Sequence, residues 1–169
     1  MSRPVAGQPT PSRVLFLCTG NTCRSPLAEV IARRAAVQRD LAIVFGSAGV
    51  AATSGAPASE GAEIVARRHG LDLGSHRARL LTPDAARAAD LILAMETSHL
   101  SLAEQVLPEV PRQLLSEFLP AGDSRRGQAV PDPFGGWIER YEEAYELIET
   151  AVEAFLDSLG QADEHPPDR

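Results

Sequence analysis

The apolar positions of this chain fall into short runs separated by turn-rich stretches, and the period of the runs alternates along the sequence. Arg13-Val-Leu-Phe-Leu17 is a continuous apolar run whose length and β-branched and aromatic content predict a buried strand. The loop Cys18-Thr-Gly-Asn-Thr-Cys-Arg24 follows. Ser25-Pro26 then predicts a helix start, with Ser as N-cap and Pro at N1, where its missing N–H would be unpaired anyway. Leu27, Val30, Ile31, Arg34 and Ala35 recur at helical spacing. Ile43 to Phe45 predicts a second strand, ended by Gly46-Ser-Ala-Gly49, and the small residues of 50–58 predict a loop. Ser59 to His69 reads as a helix closed by Gly70 at a C′ position. Thr82-Pro83 repeats the cap-plus-proline start for a short helix. Asp90 to Met95 predicts a strand, Thr97 to Val106 a helix and Arg112 to Leu115 a fourth strand. Residues 120–136 predict a long loop. The last helix begins near Trp137 or Ile138 and carries an apolar face of Tyr141, Ala144, Ile148, Ala151, Val152, Phe155 and Leu159.

Strands alternating with helices imply an α/β fold, a parallel sheet covered on both faces. In such sheets ligands sit at the carboxyl ends of the strands, and the loop after the first strand is the usual place. The pattern predicts one domain over 13–160, with flexible tails at 1–12 and 161–169. It shows no internal repeat.

Length and charge narrow the function classes. A chain of 169 residues can bury a core without staples. Its net charge of −7 argues against a general nucleic-acid or anionic-membrane surface, so neither partner is expected. Any phosphate site must be locally positive on an acidic body. All 16 basic residues are Arg, a compositional bias with no function attached. No apolar run is long enough to span a bilayer, and Met1 to Ser12 lacks a secretory h-region. The 2 cysteines, Cys18 and Cys23, are too few for a disulfide framework, and with the scattered His69, His76, His99 and His165 they make no zinc spacing. A reducing cytoplasmic setting, no metal, no cofactor and a monomer are expected. The histidines read as structural or surface residues, and Tyr141 and Tyr145 as packing.

The loop Cys18 to Arg24 is where the chemistry points. Its backbone N–H groups can converge on one anion as a nest, and the helix that follows adds its positive end. Gly20 permits backbone conformations closed to other residues, and Asn21 tolerates the left-handed region. Arg24 offers a planar fork that matches two phosphoryl oxygens. Such a setting stabilises a thiolate and makes Cys18 a nucleophile. Cysteine, five residues and arginine alone recur by chance, and a buried inert cysteine is common. The specific signal is the ordered conjunction of strand, Cys, Gly-Asn, Arg and Ser-Pro.

Val14-Leu-Phe-Leu-Cys-Thr-Gly-Asn-Thr-Cys-Arg-Ser-Pro-Leu-Ala-Glu29 resembles the signature of low-molecular-weight protein-tyrosine phosphatases. The likeness continues in order through Ser47-Ala-Gly49, Ser75-His-Arg-Ala-Arg79, Ala89 to Met95 and Asp132-Pro-Phe-Gly-Gly136, and covers residues 13–159. It implies a three-layer sandwich with strand order 2-1-3-4, no metal and a phosphocysteine intermediate. It implies that Thr19, Gly20, Asn21, Thr22, Cys23, Arg24 and Ser25 bind the phosphate, and that Ser25 donates to the Cys18 thiolate. It places Asp132 as the general acid; from the residues alone, Asp132-Pro133 is equally a turn. Cys23 matches a second loop cysteine of many members, either a redox partner for Cys18 or a small packed residue.

Two features separate substrates within the family. Thr22 stands where many phosphotyrosine members carry a bulky aliphatic, and Phe134-Gly-Gly136 where eukaryotic members often carry paired tyrosines. Both resemble the bacterial protein-arginine phosphatase branch. A phosphorylated protein is thus the expected substrate, with phosphoarginine expected through Thr22 and Phe134 and phosphotyrosine the alternative. Thioredoxin-coupled arsenate reduction would need cysteines after Cys23, and there are none. A non-catalytic phosphate-binding module would have no need of Cys18 or Asp132.

Overall fold

The computed structural model describes residues 10–162, with side chains through 160. Four strands form one parallel sheet in the order β2-β1-β3-β4. They are β1 (Arg13–Cys18), β2 (Val44–Gly49), β3 (Leu91–Ala94) and β4 (Arg112–Leu114). The helices are α1 (Arg24–Gln38), α2 (Glu60–Arg68), α3 (Pro83–Arg87), α4 (Thr97–Val106) and α5 (Ile138–Ala162), with a 3₁₀ turn at Leu115–Phe118.

Helices cover both faces, so the expected three-layer α/β sandwich is the observed architecture. The reason lies in β1, whose side chains alternate between two cores. Val14, Phe16 and Cys18 face α1 and α5; Leu15 and Leu17 face α3 and α4. On α5 the expected apolar face is buried from Tyr141 to Phe155, and Leu159 packs partly against the same core. Burying a side chain such as Ile148 or Phe155 contributes roughly 1.5–3 kcal/mol.

Three boundaries differ from the sequence pattern. Helix α1 begins at Arg24 with Cys23 at the N-cap, so Ser25 is inside the first turn and does not cap it. Pro26 is tolerated there because first-turn N–H groups have no intrahelical partner. The second strand starts at Val44 and runs on through Gly46-Ser-Ala-Gly49 to Gly49, where the pattern predicts its end. Pairing with β1 overrides the turn propensity of these small residues. Their size is what the place demands: a Cβ on Gly49 would lie 2.5 Å from the Thr19 carbonyl oxygen and 2.8 Å from the Asn21 nitrogen. Helix α5 reaches Ala162, past the expected end of the domain. At the other end, the Ser12 backbone joins the fold, its N–H donating to Asp90 and its carbonyl accepting from Val44. The remainder of the expected tails, 1–9 and 163–169, lies outside the described residues.

Chain order 2-1-3-4 sends the connections after β1 and β3 to opposite sides, which opens a crevice at the carboxyl end of β1. Cys18 is the last residue of that strand. Gly49→Ala is expected to push the end of β2 against the loop after Cys18. Overpacking of this kind costs about 1–3 kcal/mol. Urea denaturation should register that loss, and turnover of an aryl phosphate should fall with it; Gly160→Ala, where a Cβ meets nothing within 4 Å, is the control.

Candidate active site

The loop between β1 and α1 turns its carbonyls away from the crevice. Those of Cys18, Thr19 and Thr22 accept from the backbone N–H groups of Val50, Ala51 and Ser59. The Asn21 carbonyl accepts from His76 Nε2 at 2.7 Å, which fixes that nitrogen as the protonated one. The turn is made at Asn21, whose φ of 54° lies in the left-handed region. Gly20 is not in that region, contrary to the expectation from sequence, and a Cβ there would meet only Thr22 Oγ1 at 3.5 Å.

Asn21 is buried and its carboxamide is fully spent. Nδ2 donates to Ser25 Oγ and Ser47 Oγ, each at 2.9 Å, and Oδ1 accepts from the Arg79 N–H at 2.8 Å. Ser47 in turn donates to the buried Glu29 carboxylate. Ser25 Oγ lies 2.9 Å from Cys18 Sγ, and the Asn21 N–H points at the same sulfur from 3.3 Å. The Cys18 sulfur therefore sits among donors at the start of α1.

Arg24 is 2 % exposed, a charge that only good pairing can hold inside. Nη1 donates to the Val130 carbonyl at 2.9 Å and to Glu96 Oε2 at 3.2 Å. Nη2 lies 3.3 Å from Asp132 Oδ2. Its Nε is buried and has no partner among the described residues. A buried donor left unpaired on a charged group is costly unless a ligand fills it.

Cys18, Thr19, Gly20, Thr22, Cys23, Arg24, Asp132 and Phe134 line one cavity of about 230 Å³. Every residue expected from the sequence to bind or select substrate is thus in this cavity or, for Asn21 and Ser25, bonded directly behind it. Asp132 and Phe134 form its rim; the Asp132 side chain is half exposed, and the Phe134 N–H donates back to Oδ1 at 3.2 Å. Phe134 is 70 % exposed. Trp137, also exposed, does not line the cavity.

The two cysteines are both free and differently housed. Cys23 Sγ lies 3.0 Å from Ser59 Oγ, and Tyr141 approaches it at 3.9 Å. Burial pushes the Cys23 thiol up, against hydrogen bonds from Ser59, Thr22 and Tyr141 that pull it down. Cys23 is therefore kept as a thiol.

The sequence reading missed the partners that reach the loop from far away. His99 is buried, and its Nε2 lies 2.9 Å from Thr19 Oγ1. Burial pushes His99 down to about 4, and the charge of Arg24 adds to this, while the Glu96 and Asp132 carboxylates pull it up. Burial also raises Glu96, but hydrogen bonds from Ser98 and Arg24 and the charges of His99 and Arg24 outweigh it and hold the carboxyl low. Neither residue belongs to a local motif; the available signal is position, since Glu96 and His99 follow the carboxyl end of β3. Among the described residues no group of His, Cys, Asp and Glu could hold a metal ion, and no helix is long and apolar enough to cross a membrane.

The family model for low molecular weight phosphotyrosine protein phosphatase matches residues 13–165. The chain belongs to that family. It is 34% identical over 148 residues to a probable low molecular weight protein-tyrosine-phosphatase, AmsI, of Erwinia amylovora, which covers 88% of this chain and 97% of AmsI. It is 33% identical over 151 residues to a protein-arginine-phosphatase of Geobacillus stearothermophilus, again covering 88% of this chain and 97% of the relative. The crystal structure of the tyrosine phosphatase Wzb from Escherichia coli K30 with sulphate superposes with a TM-score of 0.80 at 34% identity, covering 89% of this chain and 100% of Wzb. This member of the low-molecular-weight phosphatases is accordingly an enzyme of a family that acts on phosphorylated proteins.

The environment of His99 makes a measurable statement about this phosphatase. Folded His99 resists protonation down to about 4, whereas the unfolded side chain takes its proton near 6.5. Between those values the unfolded state binds more protons, so stability falls as pH falls through the window. In His99→Gln the urea midpoint should depend less steeply on pH there. An unchanged slope would mean that other groups carry the acid sensitivity.

Proposed function

We propose that the protein is a cysteine-dependent phosphoprotein phosphatase that works through a phosphocysteine intermediate on protein phosphoarginine. The observation that carries this is the buried, unpartnered Nε of Arg24 in the same 230 Å³ cavity as Cys18 and Asp132. A phosphoryl group there would meet the guanidinium fork and the loop N–H groups together.

The placement of these groups supports the following steps. The Cys18 thiolate attacks phosphorus, the bond from phosphorus to the leaving nitrogen or oxygen breaks, and Asp132 gives that atom its proton. Asp132 is paired with Arg24 at 3.3 Å. An incoming phosphoryl group takes that guanidinium for itself and leaves the Asp132 carboxyl on the leaving-group side. Water then attacks phosphorus, Asp132 takes its proton, and the sulfur leaves as thiolate. Ser25, 2.9 Å from the sulfur, can stabilise the thiolate in both steps. Cys18 is the nucleophile of the pair because its sulfur, at the end of β1, faces the Ser25 hydroxyl at 2.9 Å and the Asn21 N–H at 3.3 Å, whereas the Cys23 sulfur lies against Ser59.

For the substrate, Thr22 supplies the argument. Thr22 lines the cavity, and among the described residues its hydroxyl reaches no partner closer than Cys23 Sγ at 3.7 Å. A guanidinium leaving group carries several N–H donors and can use that oxygen; a phenol ring cannot. Phe134 on the rim offers a face against which a planar guanidinium stacks. The arginine-directed relative from Geobacillus stearothermophilus agrees with this reading. Relatives named as tyrosine phosphatases match equally well, so phosphotyrosine is the competing substrate.

Two measurements test these roles. Asp132→Asn should lower kcat by about 10²–10⁴-fold on phenyl phosphate and by less on p-nitrophenyl phosphate, whose leaving group needs no proton. Equal losses on both esters would remove Asp132 as the acid.

Thr22→Ile removes a hydroxyl and adds apolar bulk on the leaving-group side. The ratio of kcat/KM for a phosphoarginine peptide over a phosphotyrosine peptide should fall about tenfold or more, because an unpaired polar contact costs about 1–3 kcal/mol and about 1.4 kcal/mol is a factor of ten. A wild-type enzyme that already prefers phosphotyrosine, or an unchanged ratio, would transfer the assignment to phosphotyrosine.

A further inference from the structure

A second cleft, larger than the first at about 300 Å³, lies behind the catalytic loop between α1 and the segment 72–79. Its volume is at the lower end of the roughly 300–1,000 Å³ typical of small-ligand sites. Glu29, Arg33, Asp72, His76, Arg77 and Arg79 supply its charged and titratable groups.

The cations are better placed for a ligand than the anions. Glu29 is 7 % exposed, paired with Arg33 and hydrogen-bonded by Ser47, so its charge is already answered. One oxygen of Asp72 accepts from the Gly74 N–H. Arg77 and Arg79, by contrast, have no carboxylate within salt-bridge distance among the described residues. Arg77 donates only to the carbonyls of Gly74 and His76, and the Arg79 side chain only to that of Ser47. Arg79 lies across β2 where Gly46 leaves space; a Cβ on Gly46 would come 3.3 Å from its Nη2. On a chain of net charge −7, two guanidiniums without a carboxylate partner among the described residues, Arg77 and Arg79, line one concave site with Arg33, whose Nη2 is held by Glu29 and the Phe45 carbonyl.

The walls of this cleft are also the supports of the catalytic loop. His76 holds the Asn21 carbonyl at 2.7 Å, and the Arg79 N–H holds the Asn21 carboxamide at 2.8 Å. From the other wall, Arg33 reaches Asn21 through Glu29 and Ser47. Asn21 is thus tied from both sides of the cleft.

We infer that this cleft is a second oxyanion site, for a small polyphosphate, and that its occupancy slows the catalytic loop from behind. An anion that draws Arg33 and Arg79 toward itself leaves Glu29 less neutralised beside Ser47 and pulls the segment 76–79 off Asn21. The activity arm of the inference rests on the phosphatase reading; the binding arm does not.

Inorganic pyrophosphate is the first probe and ADP the second, which separates a free diphosphate from a nucleotide tail. Calorimetry is run on the full chain with orthovanadate present in excess, so that the Cys18 loop is already occupied. One further equivalent of at least one probe should bind, and the charge-reversed Arg77→Glu should weaken it about tenfold or more. In steady-state kinetics on p-nitrophenyl phosphate the same probe should lower kcat at least about twofold at saturation, beyond any competition visible in KM. The kcat with probe is compared with the kcat without it inside each variant, and in Arg77→Glu the probe should leave that ratio near one. Absence of heat with both probes, heat that survives Arg77→Glu undiminished, or inhibition confined to KM overturns the inference. A chain that turns over no aryl phosphate but still binds the probe through Arg77 would instead refute the phosphatase reading.

Discussion

The carboxamide of Asn21 joins three parts of the molecule: the first turn of α1 through Ser25, the end of β2 through Ser47, and the segment before α3 through the Arg79 backbone. A loop that receives an anion must direct its carbonyls away from it, and that requires a residue in the left-handed region and outward partners for each carbonyl. Asn21 supplies the first, at φ 54°, and anchors itself in doing so. Val50, Ala51, Ser59 and His76 supply the second. Much of the rest of the fold can be understood as delivering those partners to one place. Strand β2 has to pass close enough for Ser47 to reach, hence the small residues at its end. Helix α2 has to be preceded by Ser59, whose N–H holds the loop while its hydroxyl lies against Cys23.

Electrostatics are arranged in the same spirit on a body of net charge −7. The site keeps its positive charge by burying it: Arg24 is enclosed by Glu96, Asp132 and a carbonyl, each of which orients the fork as well as balancing it. Two of these partners differ in permanence. Glu96 is tied in by Ser98 and His99, whereas Asp132 stands on an exposed turn and is free to exchange partners.

How legible this was in the sequence varied with distance along the chain. Strand β1, the loop and α1 are local, so apolar period and turn chemistry defined them to within a residue or two. Helix α4 and the cap of α3 by Thr82 were equally plain, because the propensities there are not opposed by tertiary contacts. Strand β2 was cut short because Gly-Ser-Ala-Gly reads as a turn until β1 is present to pair with it. Ser25 reads locally as a cap, and its bond to the Cys18 sulfur is expected only through the family resemblance, because no local pattern shows that contact until the loop is closed. His99 and Glu96 carry no local signal at all, since their partners are 80 and 72 residues away, and His76 stands out only as part of the Ser75–Arg79 segment that resembles the family, with no hint that it reaches Asn21, 55 residues away. Lone histidines at unrelated spacings give no reason to choose them in advance.

The arginines along β2 have one more effect. This strand is at the open margin of the sheet, and an unpaired margin is a template on which another chain can lay a strand of its own. Here the outward carbonyls of Phe45, Ser47 and Gly49 are taken in turn by Arg33, by Arg79 and by the Leu81 N–H. Two cationic side chains cover the very acceptors that a newcomer would need, and each would have to be stripped of its bond before pairing could begin. The same arginines that stand behind the catalytic loop thus leave the margin of the sheet with its outward acceptors already occupied.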